Sequence, residues 1–384
     1  MISAERVARR PPKPDDVCAE RHYIARCPAL STAMEAAFRF PAGIIRAMAG
    51  FRFAARRPMR SLDIRSERFP LARAFTISRG SKTEAEVIVC TIREGGHAGR
   101  GECVPYARYG ETMASVRSVI EAVRDRIANG IDRQALLGAM PAGAARNAVD
   151  CALWDLEAKL SGRPAHLTAG EPAMGPLTTA VTISLGSPEE MAEEARTRAD
   201  RPLLKVKLGA GDVTERLRAV AGAAPDSRLI VDANEGWLEA DIEANLAAAA
   251  QCGAVLIEQP LPAGKDAILR KIPHPVPVCA DESVHLAGDL PKLKGLYDAV
   301  NIKLDKAGGL TTALELRRRA RSLGFGVMIG SMVGTSLGVA PALVLAQGAD
   351  FVDLDGPLLL AADRSPGLVH DGSVILPPEP ALWG

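Results

Sequence analysis

The chain has 384 residues, 47 Lys/Arg against 46 Asp/Glu for a formal net charge of +1, and 47% hydrophobic but only 4% aromatic residues. That length allows two or three domains around a sizeable core of Ala, Leu, Val and Ile. The near-neutral balance gives no electrostatic footprint for nucleic acid, and no uninterrupted apolar run approaches the roughly 20 residues that cross a bilayer.

Residues 1–58 carry 11 Lys/Arg and 5 Asp/Glu, whereas residues 59–384 carry 36 and 41, so a basic leader precedes a mildly acidic body. Its stretches VARRPPKP and FRFAARRPMR lack the apolar core of a secretory signal. They read as a poorly ordered leader upstream of a candidate start at Met59, or as a basic arm able to lie on a membrane surface. From Met59, SLDIRSERFPL, TEAEVIVCTIREG and AGRGECVPY read as β-strands, with Gly95-Gly96 as a hairpin turn. Val116, Val119, Ile120, Val123 and Ile127 recur at helical spacing. A second helix is predicted through AARNAVDCALWDLEAKLSG, ending at Gly162 with Pro164 beyond. Strands followed by helices predict an α+β domain over 59–175.

Over 176–360, apolar strand-like runs alternate with helices. The first helix opens with Ser187 as N-cap, Pro188 at the first helical position and acids in the first turn. The runs PLTTAVTISLG, LLKVKLG, LIVDAN, VLIEQP, VCADES, AVNIKLDKAGG, FGVMIGS and FVDLDGP make about eight units, which fits a closed barrel better than an open sheet. No GxGxxG or GxxxxGK[ST] follows a strand, which argues against a nucleotide site. Residues 361–384 read as a return to the first domain. The seven cysteines (18, 27, 90, 103, 151, 252 and 279) are odd in number and form no CxxC pair. They read as reduced thiols in a cytoplasm rather than a disulfide framework or zinc site.

Lys207, Asp232, Glu258, Asp281 and Lys303 each end one of these runs, 22 to 26 residues apart. Barrel chemistry sits at the C-terminal ends of the strands, so these side chains are expected at one mouth. Three carboxylates there are hard oxygen ligands suited to Mg²⁺. Any one of them taken alone also reads as a helix N-cap, Asp281 above all. Residues i and i+2 share a strand face, which aims Lys205 with Lys207, Asp232 with Asn234, and Asp353 with Asp355. A lysine buried beside another cation has its ammonium form disfavoured and becomes a base near neutral pH. Flanking by Leu204, Val206 and Leu208 favours that reading of the lysine pair over a solvated edge strand.

In this order and spacing, KVK, VDAN, IEQP, ADES and NIKLDKAGG resemble the enolase superfamily, over roughly residues 60–376. The resemblance implies an α/β fold, a modified (β/α)7β TIM-like barrel with an α+β capping domain. It implies one Mg²⁺ per subunit on Asp232, Glu258 and Asp281, and a Lys or His base working through an enediolate. Lys303 in place of a His is similar to the muconate-lactonising subgroup. DLDGP, RYGET and SMVGTS are similar to its dipeptide epimerases, which act on L-Ala-D/L-Glu-type substrates. Lys207 and Lys303 would then stand on opposite faces of the substrate Cα for a 1,1-proton transfer, with Lys205 near the metal-bound carboxylate and depressing Lys207. Asp353 and Asp355 would hold the free α-ammonium, and Thr182 and Ser331 would touch the substrate. Arg79 is either the partner of a Glu side-chain carboxylate or a solvated turn residue. Asp305 and Lys306 read as supporting or capping residues, and the histidines as structural. The rival on the same scaffold is an o-succinylbenzoate synthase or N-acylamino acid racemase, whose substrate brings no ammonium for Asp353 and Asp355. The family setting implies murein-peptide metabolism in the cytoplasm by a homo-oligomer, with no membrane or nucleic-acid partner.

Overall fold

Strands β1 (Ser61–Ile77), β2 (Gly80–Glu94) and β3 (His97–Cys103) form an antiparallel meander in the computed structural model, which describes residues 59–384. The leader expected over 1–58 lies outside the described residues. Gly95 and Gly96 turn the β2–β3 hairpin with φ of 57° and 84°, left-handed values that a two-residue hairpin loop requires. The helix Ala144–Ser161 packs on this sheet and stops at Gly162, whose φ of 66° gives a left-handed C-cap. Gly99 and Gly101 let β3 approach that helix closely: a Cβ at either would lie 2.2 Å from the carbonyl oxygens of Ala152 and Ala148, respectively.

The predicted helix around Val116–Ile127 is two helices, Met113–Glu121 and Arg124–Ala128, broken at Val123 with φ −103° and ψ 5°. Val116, Ile120, Val123 and Ile127 are nonetheless all buried, so their spacing reported a shared inner face rather than a continuous helix. Thr112 and Ser115 form a capping box at the first helix. The short helices Arg133–Ala139 and Ala165–Ala169 were not foreseen.

After β4 (Leu177–Thr178) comes a parallel sheet of eight strands in chain order: β5 (Val181–Ile183), β6 (Leu203–Lys207), β7 (Arg228–Asp232), β8 (Ala254–Glu258), β9 (Val278–Ala280), β10 (Ala299–Lys303), β11 (Gly326–Gly330) and β12 (Phe351–Asp353). The ring closes where the Ala180 N–H donates to Val352 O and the Leu354 N–H to Thr179 Oγ1, both at 2.8 Å. The helix Pro188–Arg196 starts as predicted, with Ser187 and Glu190 in a reciprocal capping box. β6 is buried on every residue, as a strand flanked by helices requires.

The C-terminal segment adds β13 (His370–Asp371) and β14 (Val374–Ile375), and β14 pairs with β4. Beyond it, Trp383 Nε1 donates to Cys151 O and the Gly384 N–H to Asp155 Oδ1, which clasps the long helix of the capping domain. The five cysteines of the described residues are free thiols. Among those residues no helix is long and apolar enough to cross a membrane.

Candidate active site

Lys207, Asp232, Glu258, Lys303 and Asp353 are the last residues of β6, β7, β8, β10 and β12, and Asp281 directly follows β9. Sheet register aligns them: Lys207 opposes Asp232, Asp232 opposes Glu258, and Gly330 sits between Lys303 and Asp353. β6 and β10 stand four strands apart in a ring of eight, so Lys207 and Lys303 rise from opposite walls. Both line one cavity of about 310 Å³, walled on the capping side by Phe75, Arg79, Tyr106 and Tyr109.

Beneath it the charges interlock. Lys205, 1% exposed, lies 2.6 Å from Asp353 Oδ2, 2.6 Å from Glu258 Oε2 and 3.1 Å from Asp232 Oδ2. Its approach to Glu258 is an ion pair without hydrogen-bond alignment, since Glu258 Oε2 has no hydrogen-bond partner. Lys207 donates to Asp232 Oδ2 at 2.7 Å and Lys303 to Asp281 Oδ2 at 2.7 Å. Lys306 holds the other oxygen of Asp281 and its backbone carbonyl, both at 2.5 Å. Asn301 donates to Glu258 Oε1 at 2.7 Å.

For Lys205, these contacts run against the expectation of a disfavoured ammonium form. Burial alone would depress Lys205, but Asp353, Glu258 and Asp232 outweigh it and hold the group well above the usual lysine value. Lys303 behaves likewise, with Asp281 and Glu258 overcoming burial. Lys306 falls below the usual value because its burial is only partly offset by Asp281. Burial and the neighbouring Asp232 push Glu258 up to about 7 against the pull of Lys205. Asp281 stays well below the carboxylate range because Lys303 and Lys306 overcome its burial.

Among the described residues no group of three or more His, Cys, Asp or Glu side chains is arranged to hold a metal ion as it stands. Ammonium groups stand between the carboxylates instead, with Lys205 bridging Asp232, Glu258 and Asp353. The donor chemistry still fits a hard divalent cation: three buried carboxylates follow one another on adjacent strands, and both Glu258 Oε2 and Asn234 Oδ1 are buried without a hydrogen-bond partner.

Other expected site residues sit differently from the strand-face argument. Asn234 has left the strand at φ 44°, and its N–H donates to Asp232 Oδ1 rather than its side chain sharing that face. Asp355 lies past the end of β12, where its Oδ2 accepts from the Thr182 backbone N–H at 2.8 Å. Burial and Asp353 push Asp355 up to about 6. Asp353, Asp355, Thr182 and Lys205 are not on the cavity wall, because Lys205 draws Asp353 down to itself and Asp355 is turned to Thr182. Ser331 and Arg79 are on it. Arg79 is no solvated turn residue: it pairs with Glu282 at 2.8 Å and Glu235 at 3.3 Å, and donates to Asn234 O and the Tyr106 hydroxyl. Asp305 accepts from the Val104 N–H and Asn147 Nδ2, tying the segment after β10 to the capping domain.

Sequence reasoning missed Glu282, Glu235 and Arg108. Glu235 takes a bidentate pair from Arg108 at 2.8 Å for each bond. The available signal was that Glu235 and Glu282 lie within three residues of Asp232 and Asp281, just past strand ends.

A barrel with oxygen donors and lysines at its C-terminal mouth, capped by an α+β domain, defines the class. The chain belongs to the enolase superfamily: residues 59–167 match the mandelate racemase/muconate lactonizing enzyme N-terminal domain, and residues 190–380 match the enolase C-terminal domain-like family. It is 46% identical to the L-Ala-D/L-Glu epimerase of Escherichia coli (strain K12) over 312 residues, covering 81% of this chain and 97% of that one. It is also 45% identical to an N-acetyl-D-glutamate racemase of Pseudoalteromonas sp over 300 residues, 78% of this chain and 95% of the relative. A crystal structure of an enolase family member from Agrobacterium tumefaciens with homology to dipeptide epimerases, containing sodium and L-Ala-L-Glu, superposes with a TM-score of 0.84 at 58% identity. That match covers 85% of this chain and 100% of the other.

Proposed function

We propose that this chain is a Mg²⁺-dependent dipeptide epimerase that inverts the Cα of the C-terminal residue of L-Ala-D/L-Glu-type dipeptides. The observation that carries the reading is the entry of Lys207 and Lys303 into one cavity from opposite walls. Two amines so placed reach the two faces of one carbon, and inversion needs a proton taken from one face and returned on the other. Asp232, Glu258 and Asp281 would hold the cation, which supplies positive charge to offset the charge developing on the substrate carboxylate when the proton leaves. Lys205 adds fixed positive charge beneath that position. Arg79 orients an acidic side chain at the capping rim, beside the wall that carries Ser331. Asp353, whose Oδ1 is buried without a hydrogen-bond partner, and Asp355 near Thr182 lie behind the cavity wall and would turn into it to meet the substrate ammonium.

Incubation with Mg²⁺ and L-Ala-L-Glu in D₂O is expected to give deuterium at the Glu Cα together with the D-epimer, and to stop on chelation. No exchange at that carbon overturns the reading. The Pseudoalteromonas relative supports a second reading, racemisation of an N-acyl amino acid. Comparing kcat/KM on L-Ala-D-Glu and N-acetyl-D-Glu separates them. Asp353 and Asp355 favour the dipeptide, because Lys205, shared with Asp232 and Glu258, leaves a negative excess there that an ammonium would offset and an uncharged acyl group would not.

A further inference from the structure

Glu102, near the end of β3, is 1% exposed and does not line the substrate cavity. Its Oε1 accepts from the Thr335 N–H at 2.8 Å, and its Oε2 accepts from the Thr335 hydroxyl and from Arg364 Nη2 at 2.7 Å. Arg364 also donates through Nε to Thr335 Oγ1, bonds Glu67 on β1, and lies 5.3 Å from the Phe69 ring. One carboxylate thus gathers the capping sheet, the loop after β11 and the C-terminal segment. The loop is shaped to receive it: a Cβ on Gly334 or on Gly338 would lie only 3.0 Å from Glu102 Oε1. Immediately before Gly334, Ser331, Met332 and Val333 form part of the wall of the 310 Å³ cavity. Thr335 then N-caps the helix Ser336–Ala346, so its place fixes both the end of that wall and the start of the helix.

We infer that Glu102 is a positioning residue for substrate binding, acting from the capping domain through Thr335 on the Ser331–Val333 wall. The inference rests on that cavity being the substrate site proposed above. A buried acceptor that serves two donors of one residue leaves the loop a single seat, and a third bond from Arg364 keeps the carboxylate in that seat. Without it, the Thr335 N–H loses its acceptor and the wall relaxes, while Lys207 and Lys303, mounted on strands, stay in place.

The test is Glu102→Gln in the full chain, which keeps side-chain volume but offers only one acceptor oxygen. Hydrogen–deuterium exchange of the 331–338 segment is expected to speed up by about tenfold, the effect of one lost buried hydrogen bond. KM for L-Ala-L-Glu is expected to rise by about fivefold or more with kcat held within about twofold. Glu67→Gln, which shares Arg364 but not Thr335, is expected to leave both readouts within about twofold. Unchanged exchange in Glu102→Gln, an equal effect in Glu67→Gln, or a fall in kcat at constant KM each overturns the inference. Should Glu102→Gln fail to fold, Glu102→Asp, which keeps the charge but draws the carboxylate back from Thr335, decides by the same readouts. Exchange requires no turnover, so a wild-type chain inactive on dipeptides would fail the proposed function while this arm still decides.

Discussion

The floor and the rim of the cavity are built on different principles. At the floor and directly beneath it, Lys205, Lys207, Asp232, Glu258 and Lys303 are buried on strands, with Lys207 in register with Asp232 and Asp232 with Glu258. At the rim, Arg79 and Arg108 come from capping-domain loops, are partly exposed, and are met by Glu235 and Glu282 on barrel loops. The barrel side there runs through left-handed backbone at Asn234 (φ 44°), Glu235 (φ 64°) and Gln259 (φ 34°). Such conformations cost on the order of 1 kcal/mol each for non-glycine residues and are held by their surroundings. Under the proposed function, rigid elements would carry the groups that meet a carbon from fixed directions, and loops those that trade one partner for another.

The sharpest way to break this contrast lies on the floor. Lys207→Ala and Lys303→Ala are each expected to lower epimerisation by roughly 10²–10⁴-fold, the usual worth of a positioned acid or base. Each variant should still exchange the Cα proton of one epimer without inverting it, seen by NMR in D₂O; full inversion by either would end the two-amine assignment. At the rim the effect is smaller and selective. Arg79→Met should raise KM for L-Ala-L-Glu by on the order of tenfold, as for a lost charge-assisted hydrogen bond, while barely moving L-Ala-L-Leu. Equal losses on both substrates would make Arg79 a structural member of the Glu235–Glu282 network instead.

At the seam between domains the effect is on stability rather than on turnover. Burial pushes Asp305 up to about 7, only partly opposed by bonds from Asn147 and Val104. The folded chain therefore holds one more proton than the unfolded chain between about pH 4 and pH 7. Through this group, stability falls as pH rises across that window, by about 1.4 kcal/mol per unit. Asp305→Asn should flatten the slope of unfolding free energy against pH there, measured in denaturant with chelator present; an unchanged slope would remove Asp305 as its source.

Much of the floor was legible in the sequence because a buried parallel strand announces itself. An apolar run ending in one charged residue, repeated at barrel spacing, locates Asp232, Glu258 and Lys303 without knowledge of any contact. The hairpin glycines, the Ser187 cap and the stop at Gly162 were legible for a similar reason, each being a local backbone requirement. The strand-face rule failed at Asn234 and Asp355, since period-two alternation holds only as far as the strand does. The charge pairing was also hidden. Lys205 meets Asp353 across 148 positions, and which carboxylate claims which ammonium depends on loops and ring closure. The same holds for Arg79, whose partners Glu235 and Glu282 lie far along the chain.

The glycines of β3 carry a consequence that reaches well past their own strand. The long helix resting on Gly99 and Gly101 also delivers Arg146 to the carbonyls of Ala307 and Gly308, Asn147 to Asp305, and Asp150 to Thr311. It works as a spacer bar seated against bare backbone on one side and gripping the segment behind Lys303 on the other. A single methyl group added at position 101 would have to lift the bar, and the displacement would be felt at the far end, on the segment that follows Lys303.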